Sequence, residues 1–397
     1  MSEDGAGAAV LRQRESQGAR GAQPSCDDRA SLEAALPRDR TRQVSVGGLT
    51  LGGGAPVRVQ SMLTAPTSDP DACLAQVGRL ADAGCEIVRA AVPRADALPG
   101  FERLCAQSPL PVVADIHFDY RLAIGAAERG AAALRINPGN IGSWERVDAV
   151  IDAAGERGLP IRIGVNAGSI DRRLDARGDL SLPDKLVASV AGFVEHFEAR
   201  GFRDVVVSAK AHDVGVTVET YRRLSQALPQ VPLHLGVTEA GTPQQGAIKS
   251  AVGLGILLSE GIGDTLRVSL TAQPEEEMPV AWGILAALGL RRRGPELVSC
   301  PTCARCQVDM IPIAAEVERR LRGMTLPISV AVMGCEVNGP GEARGADIGV
   351  ACGRGSGAVF CGGKVVARAP EGQIVDALFR EIGSRFGDGA ARGAALG

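Results

Sequence analysis

Ala133-Leu-Arg-Ile-Asn137, a helical pattern over 141–158, and Ile161-Arg-Ile-Gly-Val-Asn166 form one strand–helix–strand unit. Two short β-branched runs separated by a helix-length segment read as parallel strands joined by a crossover. The same alternation continues on both sides. Upstream lie Val57-Arg-Val-Gln-Ser61, Glu86-Ile-Val-Arg-Ala90 and Pro111-Val-Val-Ala-Asp-Ile-His117. Downstream lie Asp204-Val-Val-Val-Ser-Ala-Lys210, Leu233-His-Leu-Gly-Val-Thr-Glu239 and Thr265-Leu-Arg-Val-Ser269. Their starts step by about 30 residues, the size of one strand–helix unit. Between them, Leu74, Val77 and Leu80 recur at helical spacing until Gly84, and 186–201 and 246–261 behave alike. Eight alternations predict an α/β protein with a (β/α)8 TIM-type barrel over 39–292, in preference to a doubly wound sheet. Gly52-Gly53-Gly54 precedes a strand instead of following one, so no dinucleotide-binding fingerprint is present.

In such barrels the chemistry lies at the C-terminal ends of the strands. Here those ends carry Arg89, His117, Arg135, Arg162, Lys210 and Arg267, accompanied by Gln60, Asp115, Asn137, Asn166, Glu239 and Ser269. One arginine at a strand end is equally well explained as a solvated charge. Permanent cations on five separate strands are not, because converging cations repel one another until something neutralises them. Arginine forks onto phosphate oxygens and lysine adds a point charge, so a diphosphate is the expected ligand. Glu239, in Thr238-Glu-Ala-Gly241, is a candidate for proton transfer.

Four of the ten cysteines crowd into Cys300–Cys335. Cys300-Pro-Thr-Cys303 places two thiolates on one turn, and Cys335 arrives in Met333-Gly-Cys-Glu-Val-Asn-Gly-Pro-Gly-Glu342. Glycines 334, 339 and 341 would let the backbone bend around a bulky inorganic core. Spacing alone leaves two centres open: an iron–sulfur cluster, or a closed zinc site on Cys300, Cys303, Cys306 and Cys335. The ferredoxin run fails, because its next position is Met310.

The other six, Cys26, Cys73, Cys85, Cys105, Cys352 and Cys361, show no ligand spacing. Cys73, Cys85 and Cys105 lie in or beside helical apolar segments and read as small buried hydrophobes. With 45% hydrophobic and 22% charged residues among 397, the chain can build a large core without disulfides. Only 3% aromatics and a net charge of −3 argue against a nucleic-acid binder. No apolar run approaches the length of a membrane span. Residues 1–38 fit neither a secretory signal nor a transit peptide; a disordered tail and a cytoplasmic location are expected. A rival enzyme class, a barrel lyase or transferase with a structural zinc, would use the same cations without electrons.

Several long strings together closely resemble the bacterial 4-hydroxy-3-methylbut-2-enyl diphosphate synthase family of the non-mevalonate isoprenoid pathway. They include Val59-Gln-Ser-Met62, Val113-Ala-Asp-Ile-His-Phe-Asp-Tyr-Arg121 and Leu134-Arg-Ile-Asn-Pro-Gly-Asn-Ile-Gly142. Leu233-His-Leu-Gly-Val-Thr-Glu-Ala-Gly241, Cys300-Pro-Thr-Cys303 and Val337-Asn-Gly-Pro-Gly-Glu-Ala343 also match. The likeness runs from about Arg40 to about Phe386.

The resemblance implies a barrel followed by a smaller α+β cluster domain, here 293–390, with a flexible tail at 391–397. It implies a homodimer in which the cluster of one subunit faces the barrel of the other. One 4Fe-4S cluster per subunit would be held by Cys300, Cys303, Cys335 and Glu342, the carboxylate leaving one iron exchangeable. The implied substrate is 2-C-methyl-D-erythritol 2,4-cyclodiphosphate, reductively opened with loss of water, with flavodoxin or ferredoxin as electron donor. Arg89, Arg135, Arg162, Lys210, Arg267, Asn166 and Ser269 would hold the diphosphate. His117 and Asn338 would orient it, and Glu239 would manage the proton for the departing hydroxyl. Two departures stand out: Leu63-Thr-Ala-Pro-Thr-Ser-Asp69 replaces a Thr/Asn-rich stretch, and Cys306 is additional, either a spare thiol or a competitor of Glu342.

Overall fold

The computed structural model describes residues 35–170, 172–335 and 345–387. Residues 1–34 of the expected tail, Cys26, Asn338, Glu342 and the expected tail at 391–397 lie outside the described residues. Pro37–Arg40 forms a 3-10 turn, and the Arg38 N–H donates to the Gly261 carbonyl at 2.9 Å.

β1 (Val44–Val46) and β2 (Leu49–Leu51) pair as an antiparallel hairpin. Its turn residues Gly47 and Gly48 take φ of 55° and 86°, a conformation that side chains with a Cβ resist. The barrel strands follow: β3 (Arg58–Met62), β4 (Ile87–Ala91), β5 (Val112–Asp115), β6 (Ala133–Ile136), β7 (Ile161–Asn166), β8 (Val205–Lys210), β9 (His234–Leu235) and β10 (Thr265–Leu266). Their order is β8-β7-β6-β5-β4-β3-β10-β9, all parallel, and a bridge from Val207 to Leu233 joins the two ends. The eight expected runs are thus the eight strands of a TIM barrel.

Helices cover the outside, which is why the strands read as nearly unbroken apolar runs. Local chemistry sets the helix limits. Asp69 caps the helix Pro70–Ala83 by accepting from the Ala72 N–H at 3.0 Å, and Gly84 ends it at φ 102°. Ser181 and Asp184 form a reciprocal capping box at the start of Leu182–Ala199. Leu80, Phe101, Leu104, Phe197 and Tyr221 are fully buried between helices and barrel. Each such side chain contributes on the order of 1.5–3 kcal/mol by leaving water. The hairpin packs Val44, Val46 and Leu51 onto Ile87, Val113, Ala133 and Val206. Those four stand first or second in their strands, so the hairpin plugs the barrel floor and leaves the opposite end as the mouth.

β9 and β10 stop after two residues, although the sequence suggested extended runs to Glu239 and Ser269. Crowding explains the difference. A Cβ on Gly236 would lie 2.9 Å from both the Arg267 carbonyl and Lys210 Nζ, and Glu239 turns the chain at φ 53°.

The C-terminal part carries β11 (Glu296–Ser299), β12 (Ser329–Met333), β13 (Ile348–Gly353), β14 (Ser356–Cys361) and β15 (Lys364–Pro370), hydrogen-bonded in that order. β11, β12 and β13 are parallel, and β14 and β15 return antiparallel. Val317 and Leu321 of Met310–Leu321, with Ile374, Leu378 and Ile382 of Ile374–Phe386, pack on Val330, Val332, Ile348 and Val350. Among the described residues no helix is long and apolar enough to cross a membrane.

Candidate active site and metal-ligand segment

The barrel mouth is graded by depth. Arg135 and Arg162 are buried; Arg89, Lys210, Arg267 and Ser269 are partly covered; His117, Asn166 and Glu239 are exposed at the rim. Register accounts for the convergence, since parallel partners point to the same face of a sheet. Arg135 pairs with Arg162 across β6 and β7, Asp115 with Arg135 across β5 and β6, and Asn166 with Lys210 across β7 and β8.

Asp115 is the hub of one wall. Its Oδ1 lies 3.1 Å from Arg135 Nη1, and its Oδ2 lies 3.4 Å from Arg89 Nε and 3.5 Å from His117 Nε2. Burial alone would raise this carboxyl, but Arg89 and Arg135 overcome it and hold Asp115 below its usual range. Arg135 also donates to the Gly164 carbonyl at 3.3 Å, and Arg162 Nη1 donates to Gln60 Oε1. After β10, Arg267 Nη2 lies 3.2 Å from Glu277 Oε1. Met62 Sδ separates two cations, 2.7 Å from Arg89 Nη2 and 3.7 Å from Arg267 Nη1.

Burial and mutual repulsion load these cations. Arg89 is lowered to about 10, by burial first, against the pull of Asp115. Lys210 falls well below its ordinary range, by burial and then by Arg162, Arg89 and Arg267. His234, wholly buried on β9, is likewise pushed far down by burial and then by Arg162 and Lys210. Arg89 Nε, Arg162 Nε and Nη2, and Arg267 Nε are buried without a hydrogen-bond partner among the described residues. Arg162 and Arg267 are each held by one polar partner and keep at least one buried N–H unsatisfied, while Arg89 Nε has only the long 3.4 Å approach of Asp115. An anion seated there would satisfy the orphaned donors and relieve the repulsion together.

The first loop differs from the family string yet is well tied. Gln76 Oε1 accepts from the Thr64 and Ala65 N–H groups at 3.0 and 3.1 Å, and Thr67 donates to the Ala91 carbonyl at 2.6 Å.

In the C-terminal part, Cys300 follows β11 directly and Cys335 lies two residues beyond β12. The two strands are parallel neighbours, so both thiols leave the same sheet edge. The Gly334 N–H donates to Cys300 Sγ at 3.1 Å, and the Cys306 N–H closes a turn onto the Cys303 carbonyl at 2.9 Å. The Arg305 backbone and guanidinium lower the exposed Cys303 thiol, which favours the thiolate a metal requires. Cys306 Sγ donates to the Val308 carbonyl at 3.1 Å. Among the described residues no three Cys, His, Asp or Glu side chains converge as a complete ligand set. The donor chemistry nonetheless suits a soft metal centre, with Cys300 and Cys335 on adjacent strand ends and the nearby Cys303 held toward its anionic form.

Residues 41–282 match the model described as the GcpE TIM-barrel domain, and 296–384 match the GcpE protein C-terminal domain. The chain belongs to the GcpE family. Relatives named 4-hydroxy-3-methylbut-2-en-1-yl diphosphate synthase (flavodoxin) are similar over nearly their whole length. The Geobacter sulfurreducens protein is 52% identical over 86% of this chain and 97% of its own. That of Salinispora tropica is 53% identical over 87% and 88%, and that of Dehalococcoides mccartyi 49% over 88% and 99%.

Within this GcpE barrel, Arg89, Arg135, Lys210, Arg267 and His117 gather toward the mouth. Arg162, expected at a C-terminal strand end, instead stands second on β7 opposite Val206 and lies deep in the barrel, because its side chain points inward from the start of the strand. Asn166 stands at the rim beside Lys210, while Glu239 and Ser269 sit on the segments after β9 and β10. Sequence reading missed Glu277, Met62, His234 and the glycines 164 and 236. Glu277 is one of three consecutive glutamates, and nothing in that string marks the one that turns inward. Cys73 and Cys85 are buried as expected, and Cys105 is partly covered.

Proposed function

We propose that this chain catalyses the reductive opening of 2-C-methyl-D-erythritol 2,4-cyclodiphosphate to 4-hydroxy-3-methylbut-2-enyl diphosphate. One observation carries the reading: Arg89, Arg135, Arg162, Lys210 and Arg267, set against the buried carboxylates Asp115 and Glu277, leave a surplus of three positive charges inside the exposed rim carboxylate Glu239 when those seven groups are ionised. In the cyclic substrate each phosphorus carries one ionised oxygen. Two electrons and one proton break the ring carbon–oxygen bond and expel the hydroxyl as water. The freed phosphate oxygen adds one negative charge. A site richer in cations than the substrate needs therefore stabilises the charge that develops during ring opening.

Arg89, Arg135, Arg162, Lys210 and Arg267, with Asn166 and Ser269, hold the diphosphate in this reading, and His117 and Asn338 orient the carbon skeleton. Glu239 passes the proton to the departing hydroxyl; its left-handed backbone at φ 53° is a strain of the kind retained at functional positions. Cys300, Cys303, Cys335 and Glu342 would hold one 4Fe-4S cluster per subunit, which supplies single electrons. Flavodoxin or ferredoxin would deliver them, in a cytoplasmic homodimer with an active site shared between subunits.

Anaerobic incubation of the reconstituted protein with the cyclic diphosphate and a one-electron reductant should yield the open-chain diphosphate. Glu239→Gln should bind substrate within about threefold of the parent yet turn over on the order of a hundredfold more slowly. Undiminished turnover would remove Glu239 from the mechanism.

A further inference from the structure

We propose that Glu277 is a positioning residue of the diphosphate site, fixing the Arg267 guanidinium and the segment that carries Ser269. The inference rests on the diphosphate reading of the barrel mouth. Glu277 opens the helix Glu277–Ala287 and is 1% exposed. A carboxylate buried so deeply is costly unless both its oxygens are paired.

Here both are. Oε1 lies 3.2 Å from Arg267 Nη2 and accepts from the Leu270 N–H at 3.3 Å. Oε2 accepts from Ser61 Oγ at 2.9 Å. Ser61 is on β3 and Arg267 directly follows β10, its parallel neighbour. One carboxylate thus spans the seam where the start of the barrel meets its end. Ser269 lies between Arg267 and Leu270, so the same clasp sets where its hydroxyl stands.

The grip also selects an orientation. Arg267 Nη2 is taken by Glu277 and Nη1 faces Met62 Sδ, while Nε is buried without a partner. Freed from Glu277, the guanidinium could rotate and lose the orientation that leaves Nε as its unsatisfied donor. Glu277 does for Arg267 what Asp115 does for Arg89 and Arg135 on the neighbouring strands.

Positioning and plain charge counting predict opposite signs. Removing a carboxylate makes the site more positive, which by itself tightens anion binding; loss of positioning weakens it. Glu277→Gln preserves size and one acceptor. Its affinity for inorganic pyrophosphate, read by calorimetry, should fall about tenfold. KM for the cyclic diphosphate should rise by a similar factor with kcat within about twofold. In an Arg267→Met background the same change should have a clearly smaller effect on pyrophosphate affinity, the part that passes through the Ser269 segment. Equal or tighter binding by Glu277→Gln, or additive effects with Arg267→Met, overturns the proposal. If Glu277→Gln fails to fold, Ser61→Ala should weaken pyrophosphate about threefold, and unchanged affinity there overturns it equally. Failure of the parent protein to bind either diphosphate would instead sink the functional reading on which the inference rests.

Discussion

At the scale of single residues, Lys210 is heavily loaded. Burial and then the neighbouring arginines hold it well below the ordinary lysine range. A bound diphosphate brings opposite charge and raises it again. Between the depressed value and the value in the complex, binding must therefore take up a proton, and affinity falls as pH rises through that window. The cyclic diphosphate does not titrate near neutrality, so the proton is attributable to the protein. Calorimetry in buffers of different ionisation enthalpy should show uptake in the parent and much less in Lys210→Met. Identical heats in all buffers would contradict the assignment. The five cations themselves were legible in the sequence, because each lies on or directly after a recognisable strand, although only Lys210 ends one and Arg162 stands second on β7. Their partners were not: Asp115 was visible as a polar strand end, but its bridging of Arg89, Arg135 and His117 is a matter of ångströms.

At the scale of elements, the strands leave deliberate gaps for these side chains. A Cβ on Gly164 would lie 2.4 Å from Arg135 Nε, and one on Gly236 would lie 2.9 Å from Lys210 Nζ. Gly164 stands on a strand, takes no positive φ and would meet only the Arg135 side chain, so alanine is compatible with its backbone, whereas at Gly236 a Cβ would also press on the Arg267 carbonyl. Gly164→Ala should accordingly leave the barrel folded while displacing Arg135, raising KM about tenfold with a near-parental circular dichroism spectrum. An unchanged KM would show that Arg135 finds an equivalent position. Strand and helix existence was readable throughout, since burial on both faces writes apolar runs and caps such as Asp69 and Ser181 punctuate them. The early ends of β9 and β10 were not readable, because Val237 and Val268 favour extension locally. The interruption comes from Lys210 and Arg267 crowding a neighbouring strand.

At the scale of the whole molecule, the floor of the barrel carries a pH-sensitive clasp. Asp264, raised to about 6 by burial, accepts from the Leu233 N–H at 2.7 Å and the Thr41 hydroxyl at 2.9 Å. A carboxyl raised on folding contributes stability below its unfolded value of 3.8, and loses it as pH climbs through about 6. Relative to the parent, Asp264→Asn should therefore gain up to about 3 kcal/mol between acidic and neutral pH. Paired urea titrations at the two pH values measure that difference; parallel curves would refute it. The metal reading is tested on the intact chain as well. Anaerobically reconstituted protein should carry about four irons and as many sulfides, and Cys303→Ser should lose both while the barrel stays folded. A colourless protein holding one zinc would overturn the cluster. The sequence by itself determined the eight-fold alternation, the cations at the strand ends and the cysteine spacing, because periodicity and residue type act locally along the chain. Only the tertiary structure decided which carboxylate faces which guanidinium, where the glycines make room, and that Cys300 and Cys335 leave neighbouring strands. Those relations join residues far apart in sequence, and closing the barrel is what brings the mouth together.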